Sequence, residues 1–168
     1  MDLTLKNISL LIAIVLTGLS AGLFYAWSVS VIPGTKKVID SSYLEVMQKI
    51  NREIMNPQFF LVFIGSMVLL AFSTVLHYGS GMSFWLLLLA TGAYILGTFV
   101  VTGLGNVPLN NELEGIRLGQ LNPSQMQEFR RYYEARWNLF HQIRTFFSVL
   151  AFIASLIASF TANSFTTH

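Results

Sequence analysis

The residues best suited to chemistry lie in the run Trp137-Asn138-Leu139-Phe140-His141-Gln142-Ile143-Arg144. On a helix, Trp137, His141 and Arg144 share one face, at i, i+4 and i+7. No charge follows from Thr145 to Phe165. A histidine, an arginine and an amide (Asn138) therefore open, or sit just inside, a segment apolar enough to cross a bilayer. Ionisable groups are costly there, and they face protein or trapped water with a partner. Each residue also has a plainer reading. Trp137 could anchor at the interface, His141 could be a satisfied core histidine, and Arg144 could snorkel along its own helix. Arg144 lies about 10 Å beyond Trp137 at ~1.5 Å per residue, which favours an internal partner.

Composition says what must hold these groups. The chain has 168 residues, of which 54% are hydrophobic and only 11% charged, with a mean hydropathy of +0.60. A soluble domain carries about 25% charged residues, so the missing charge points to a bilayer as solvent. Four uncharged stretches, Asn7–Ile32, Pro57–Leu76, Phe84–Leu104 and Thr145–Phe165, reach the roughly 20 residues a crossing needs. The expected fold is an all-α integral membrane four-helix up-down bundle. Its spans cover residues 7–32, 57–76, 84–104 and 138–161 of a single membrane domain, and linkers 33–56 and 105–137 share one side.

Several function classes drop out. With no cysteine there is no disulfide, thiolate catalysis, cysteine-ligated zinc or iron–sulfur cluster. A net charge of +2 without a basic, aromatic-interleaved stripe gives no nucleic-acid footprint. There is no GxGxxG, phosphate loop or Ser-His-Asp set. No acid lies within a span, which argues against an ion-coupled transporter. His77 and His141 fall at opposite ends of the bundle, ~30 Å apart, so they cannot share a metal. His168 lies in the tail. A site of His141 with Glu112, Glu114 or Glu134 has no spacing motif behind it. No metal or other cofactor is expected.

Local signals place the boundaries. The first span could be read as a signal peptide cut near Ser20-Ala21-Gly22, but its apolar run is too long and its n-region holds only Lys6 against Asp2. Gly18, Gly22 and Ala26 form a small-residue line suited to close helix packing. Tyr25 and Trp27 are interface residues, and Pro33-Gly34 ends the span. Ser42-x-x-Glu45 reads as a capping box for an amphipathic helix in the first linker, with Tyr43, Met47, Ile50 and Ile54 on one face. That helix would lie on the membrane surface or the bundle mouth. Asn56-Pro57 starts the second span. The turn Tyr78-Gly79-Ser80-Gly81 makes spans two and three antiparallel neighbours. Ala90, Ala93 and Gly97 supply small residues in the third span, which ends within Gly103–Asn111. The second long linker is also helical, with a short helix over Glu112–Leu118. Asn122-Pro123-Ser124-Gln125 then starts one long helix that becomes the fourth span.

Folding four spans up and down gathers polar groups at the linker end: Ser28 and Ser30, Asn56, Thr102 and Asn106, then Asn138, His141 and Arg144. A pocket between the helices, capped by the linkers, is the natural site. Asn56, Asn110 and Asn122 also read simply as caps or turn residues. The linkers hold Lys36, Lys37, Lys49, Arg52, Arg117, Arg130, Arg131 and Arg136, against Lys6 at the termini. The positive-inside rule then puts the linkers in the cytoplasm and both termini outside. The lack of appended domains suits a bacterial inner membrane.

Four stretches resemble one family. They are Gly22-Leu23-Phe24-Tyr25-Ala26-Trp27-Ser28 with Pro33-Gly34, Met47-Gln48-x-Ile50-Asn51 with Asn56-Pro57, Gly105-Asn106-Val107-Pro108-Leu109-Asn110-Asn111, and Trp137-Asn138-x-x-His141-x-x-Arg144. They cover nearly the whole chain, and they are similar to the anthrone oxygenase-like family of small four-span membrane proteins, long filed as a domain of unknown function. The bacterial branch is the nearer one. The resemblance implies a four-helix membrane fold and, from some fungal members, oxidation of anthrones to anthraquinones with oxygen and no cofactor. On that expectation His141 is the base, Arg144 and Asn138 stabilise the oxyanion, and Asn106 or Asn110 orients a lipophilic phenolic or anthrone-like substrate. Trp137, Trp27, Ser28 and Asn56 complete the binding set. The rival expectation is a non-enzymatic membrane protein that binds a lipid, quinone or partner subunit at the same polar end. The small-residue faces would also permit a homo-oligomer.

Overall fold

The computed structural model describes residues 4–163. His168 and the end of the last uncharged stretch, including Phe165, lie outside the described residues. Every regular element described is helical. Four helices are long and apolar enough to cross a membrane: α1 (Leu5–Thr35), α3 (Pro57–Leu76), α4 (Met82–Glu114) and α5 (Pro123–Asn163). A fifth, α2 (Asp40–Glu53), lies in the first linker. Large apolar side chains face outward along the long helices, such as Leu11, Val15 and Leu19 on α1 and Leu88, Leu89 and Leu96 on α4. Apolar exposure on that scale suits lipid and not water.

Polar and aromatic contacts pair the helix ends. Lys6 Nζ donates to Ser80 Oγ, and Ser73 Oγ to Ser9 Oγ, so the start of α1 meets the end of α3. Further along, Phe24 meets Phe63 edge-on at 6.3 Å. Tyr94 of α4 bonds Ser20 of α1 at 2.8 Å and donates to Phe63 O. Close approach of α4 to α5 depends on two glycines. A Cβ at Gly97 would overlap Phe147, and one at Gly105 would overlap Phe140. Gly18 also packs against a ring, Phe152, but Gly22 has nothing within 4 Å, so the small-residue line of α1 is used only at its first member.

Several expected boundaries move. The helix of the first linker starts at Asp40, so Ser42 is not its cap. The position is set instead by Arg130 of α5, which donates to Asp40 Oδ1, Val38 O and Thr35 O and ties the linker to the bundle. The helix of the third span does not stop at residues 103–111. It runs on to Glu114, and the expected separate helix over Glu112–Leu118 is only the end of α4 plus a short 3-10 turn. Likewise α1 continues through Pro33 to Thr35. Both prolines are absorbed in one way. Each follows a π-helical turn, Trp27–Val31 or Thr102–Asn106, where Ile32 N–H bonds Trp27 O and Val107 N–H bonds Thr102 O. The wider i to i+5 turn re-pairs the backbone just where proline removes a donor and crowds the carbonyl behind it.

Other expectations stand. Asn56 caps α3, accepting from Phe59 N–H at 2.9 Å. Asn122 and Gln125 bond each other's backbone N–H reciprocally at the start of α5. Gly79 and Gly81 take the positive φ that the short turn needs.

A candidate oxyanion site under the linker helix

The site lies where α2 covers the ends of the long helices. Tyr43, Leu44 and Met47 of α2 are buried against Leu109 and Leu113 of α4 and Tyr133 and Trp137 of α5. Of the two positions expected for the amphipathic helix, the bundle mouth is therefore the one it takes. Gln48 Nε2 donates to Leu113 O and Ile116 O, and Arg52 pairs with Glu114 at 2.7 Å. Burial pushes the Tyr43 phenol well above the ordinary tyrosine range, and the Arg130 guanidinium stacks over its ring at 4.4 Å. Beneath this cover is a cleft of about 610 Å³, counting its open mouth, lined by side chains from all five helices.

His141 and Arg144 form its floor. Their shared helical face is realised, and both are buried, at 0% and 8% exposure. Arg144 Nε and Nη2 approach His141 Nδ1 at 3.2 and 3.0 Å. A guanidinium can only donate, so Nδ1 is an acceptor and the ring proton sits on Nε2. That Nε2–H reaches Phe24 O at 3.1 Å and Ser28 Oγ at 3.0 Å. The ring is therefore neutral, in one tautomer, and stacked parallel on Trp137 with centroids 5.0 Å apart.

Arg144 is a buried cation of an unusual kind. Among the described residues it has no carboxylate partner, and every ion pair there belongs to another cation, Lys49, Arg52 or Arg130. Besides His141 it reaches only Thr102 Oγ1, at 3.5 Å. Aromatic faces supply the rest of its surroundings, Phe24 at 4.6 Å and Trp137 at 5.1 Å from the guanidinium carbon. A desolvated cation over an aromatic face gains up to about 2 kcal/mol, which offsets only part of the several kcal/mol that burying the charge costs. No acid lines the cleft. An anionic oxygen of a ligand would complete the site.

The second polar group is Asn110. Its Oδ1 accepts from Trp137 Nε1 at 2.8 Å and from Tyr133 OH at 3.1 Å, and Asn51 Nδ2 donates in turn to Tyr133 OH at 3.3 Å. Asn51 and Asn110 both line the cleft, with Trp27, Thr102 and Trp137.

The remaining expected residues do other things. Asn138 is half-buried and does not line the cleft, because one residue past Trp137 turns it about 100° around the helix. Asn106 is 1% exposed, and its Nδ2 donates to Trp137 O at 3.1 Å, which clamps α4 to α5 below the cleft. Asn56 is occupied as a cap. Ser28 touches the His141 ring from behind. Asn51, Tyr133 and the Phe24 carbonyl were not foreseen as site groups. Asn51 lies within a stretch that resembles the family, and Tyr133 is one turn before Trp137 on the same face, so those two carried a signal. Phe24 lies in such a stretch too, but nothing in a sequence marks its backbone carbonyl as a site group. Among the described residues no three of histidine, aspartate and glutamate come together as a metal site would require.

No curated protein and no solved structure matches the chain. A family description does. The family model for anthrone oxygenase matches residues 58–154, more than half of the chain, and that span contains Thr102, Asn110, Trp137, His141 and Arg144. The chain belongs to the anthrone oxygenase family.

Proposed function

We propose that this protein is a membrane-bound oxygenase that acts on a lipophilic, anthrone-like or phenolic aromatic in the cleft between α2 and the long helices. The observation that carries the proposal is Arg144, a buried guanidinium without a carboxylate, beside a neutral histidine and between aromatic rings. An anthrone has a carbon–hydrogen bond made acidic by the carbonyl across its central ring. Its oxygen takes guanidinium N–H donors from Arg144, which frees His141 Nδ1. That nitrogen then accepts the proton from carbon, and the electron pair moves to the oxygen as an enolate held on Arg144. Phe24 O, already on Nε2–H, steadies the imidazolium that forms. The enolate carbon bonds dioxygen, and the peroxide anion so formed takes the proton back from His141 Nδ1 to give a hydroperoxide. Loss of the second hydrogen as a proton, with cleavage of the O–O bond, releases water and leaves the new carbonyl.

The setting belongs to the same proposal. The helices form one up-and-down bundle in a bacterial inner membrane, with the cleft and both long linkers at the cytoplasmic end. Support comes from the paired helix ends and from the basic residues of the linkers.

The test is oxygen uptake by the detergent-purified protein with anthrone, compared with protein-free autoxidation and with His141→Ala and Arg144→Gln. Uptake above autoxidation that disappears in the variants is expected. Folded protein with no uptake above autoxidation would overturn the oxygenase reading and favour a lipid- or quinone-binding role.

A further inference from the structure

The cleft holds a second donor that this mechanism leaves unused. Trp137 Nε1–H can only donate, so the Asn110 atom 2.8 Å away must be its oxygen. Tyr133 OH donates to that same oxygen, and so must accept from Asn51. The direction of every bond in the chain Asn51, Tyr133, Asn110, Trp137 is thereby set by one indole N–H. Both N–H bonds of Asn110 Nδ2 are left without a partner among the described residues, on a side chain that lines the cleft. Arg144, whose nitrogens are also donors only, lies over the Trp137 ring at 5.1 Å. Trp137 therefore has a donor at its indole edge and another donor over its face.

A pair of donors on one aromatic wall recognises a flat ligand with two acceptor oxygens on different edges. We infer that the cleft takes quinone-type aromatics of this kind, and that Asn110 Nδ2 donates to the oxygen being installed while Arg144 holds the oxygen already present. The inference rests on the cleft being the substrate site. In the proposed reaction the new oxygen arises across the central ring from the first. The ground-state anthrone has nothing there to bond, whereas the hydroperoxide and the quinone do. Asn110 is then a catalytic residue that works only after the C–O bond forms, and Tyr133 is the positioning residue that, with Trp137, keeps its amide from turning over.

The probes are 9,10-anthraquinone and anthrone, the latter under argon, which share a skeleton and differ in the second oxygen. Binding is read by quenching of tryptophan fluorescence in detergent. Wild-type protein should bind the quinone roughly tenfold more tightly, the worth of about one hydrogen bond. Asn110→Leu, which keeps the volume without donor or charge, should bring the two to equal affinity. In turnover it should lower kcat roughly tenfold and leave KM for anthrone unchanged. Tyr133→Phe, a milder change, should narrow the gap only in part. Arg144→Gln should weaken both probes alike and leave the gap. Equal affinities in the wild type, or a gap that survives in folded Asn110→Leu, would overturn the inference and leave the oxygenase reading standing. Failure of either probe to bind, or binding indifferent to Arg144→Gln, would overturn the reading of the cleft itself. Because the binding arm needs no turnover, it answers even if oxygen uptake is absent.

Discussion

Among the described residues two histidines are fully buried, one near each end of the bundle, and they teach by contrast. His77 ends α3, and its Nδ1–H donates to Ser73 O at 2.8 Å, one turn back on its own helix. Its Nε2 has no partner among the described residues. His141 also gives its one proton to a backbone carbonyl, but that carbonyl belongs to another helix, and its lone pair meets an arginine at the edge of a cleft. The residue type, the burial and the carbonyl acceptor are shared. What separates a helix cap from a candidate base is the cation beside it and the open space in front of it.

Substitution at the two histidines is the strongest way to break this contrast. His141→Ala should lower kcat/KM for anthrone by about 10² to 10⁴, the usual worth of a positioned base. His77→Ala, at the other end, should leave kcat/KM within about twofold, since His77 is not among the residues lining the cleft. Equal losses would mean that both act through the fold. Arg144→Gln should cost roughly 10² to 10³ in kcat through the lost oxyanion donors. It should not lower the melting temperature much, because the cation is buried without a carboxylate partner. A sharp loss of folded protein would instead make Arg144 a structural residue.

Packing sharpens the same contrast at smaller cost. Gly105→Ala puts a methyl group against Phe140, one residue before His141, and should destabilise by about 1–3 kcal/mol while disturbing the cleft. Gly22→Ala meets open space and should leave turnover unchanged, with a melting temperature equal or slightly raised by alanine's better helix propensity. The smallest effect expected is a pH dependence at the far end. Burial holds His77 below the usual histidine range. The unfolded chain therefore binds a proton there before the folded one does, and stability falls as pH drops through the unfolded value of about 6.5. The loss in melting temperature between about pH 7.5 and about pH 5.5 should shrink in His77→Asn. A loss that is unchanged would assign the dependence to other groups.

Much of this was legible beforehand. The Trp137, His141 and Arg144 face follows from helical periodicity, and the reciprocal cap of Asn122 and Gln125 follows from spacing alone. The amphipathic helix and its apolar face were visible, though its start was not, because Asp40 is held by Arg130 some ninety residues away. Proline and glycine misled at residues 33 and 103–111. They are breakers in an isolated helix, but here π-helical turns take up the strain and Gly105 is needed for the approach of Phe140. In the sequence Asn138 reads as an oxyanion donor and Asn110 as a cap or turn residue before a site group, and only its direction around the helix removes Asn138 from the cleft.

By itself the sequence determined the solvent, the long apolar helices and the presence of a histidine and an arginine on one of them. Those properties depend on composition and on neighbours within a few residues, which a chain carries before it folds. The tertiary structure alone decided that Phe24 O would hold the proton of His141, that Trp137 would turn the Asn110 amide, and that Arg144 would meet no carboxylate. Each is a relation between groups far apart in the chain. It exists only once packing has brought those groups together and away from solvent, so no local pattern could announce it.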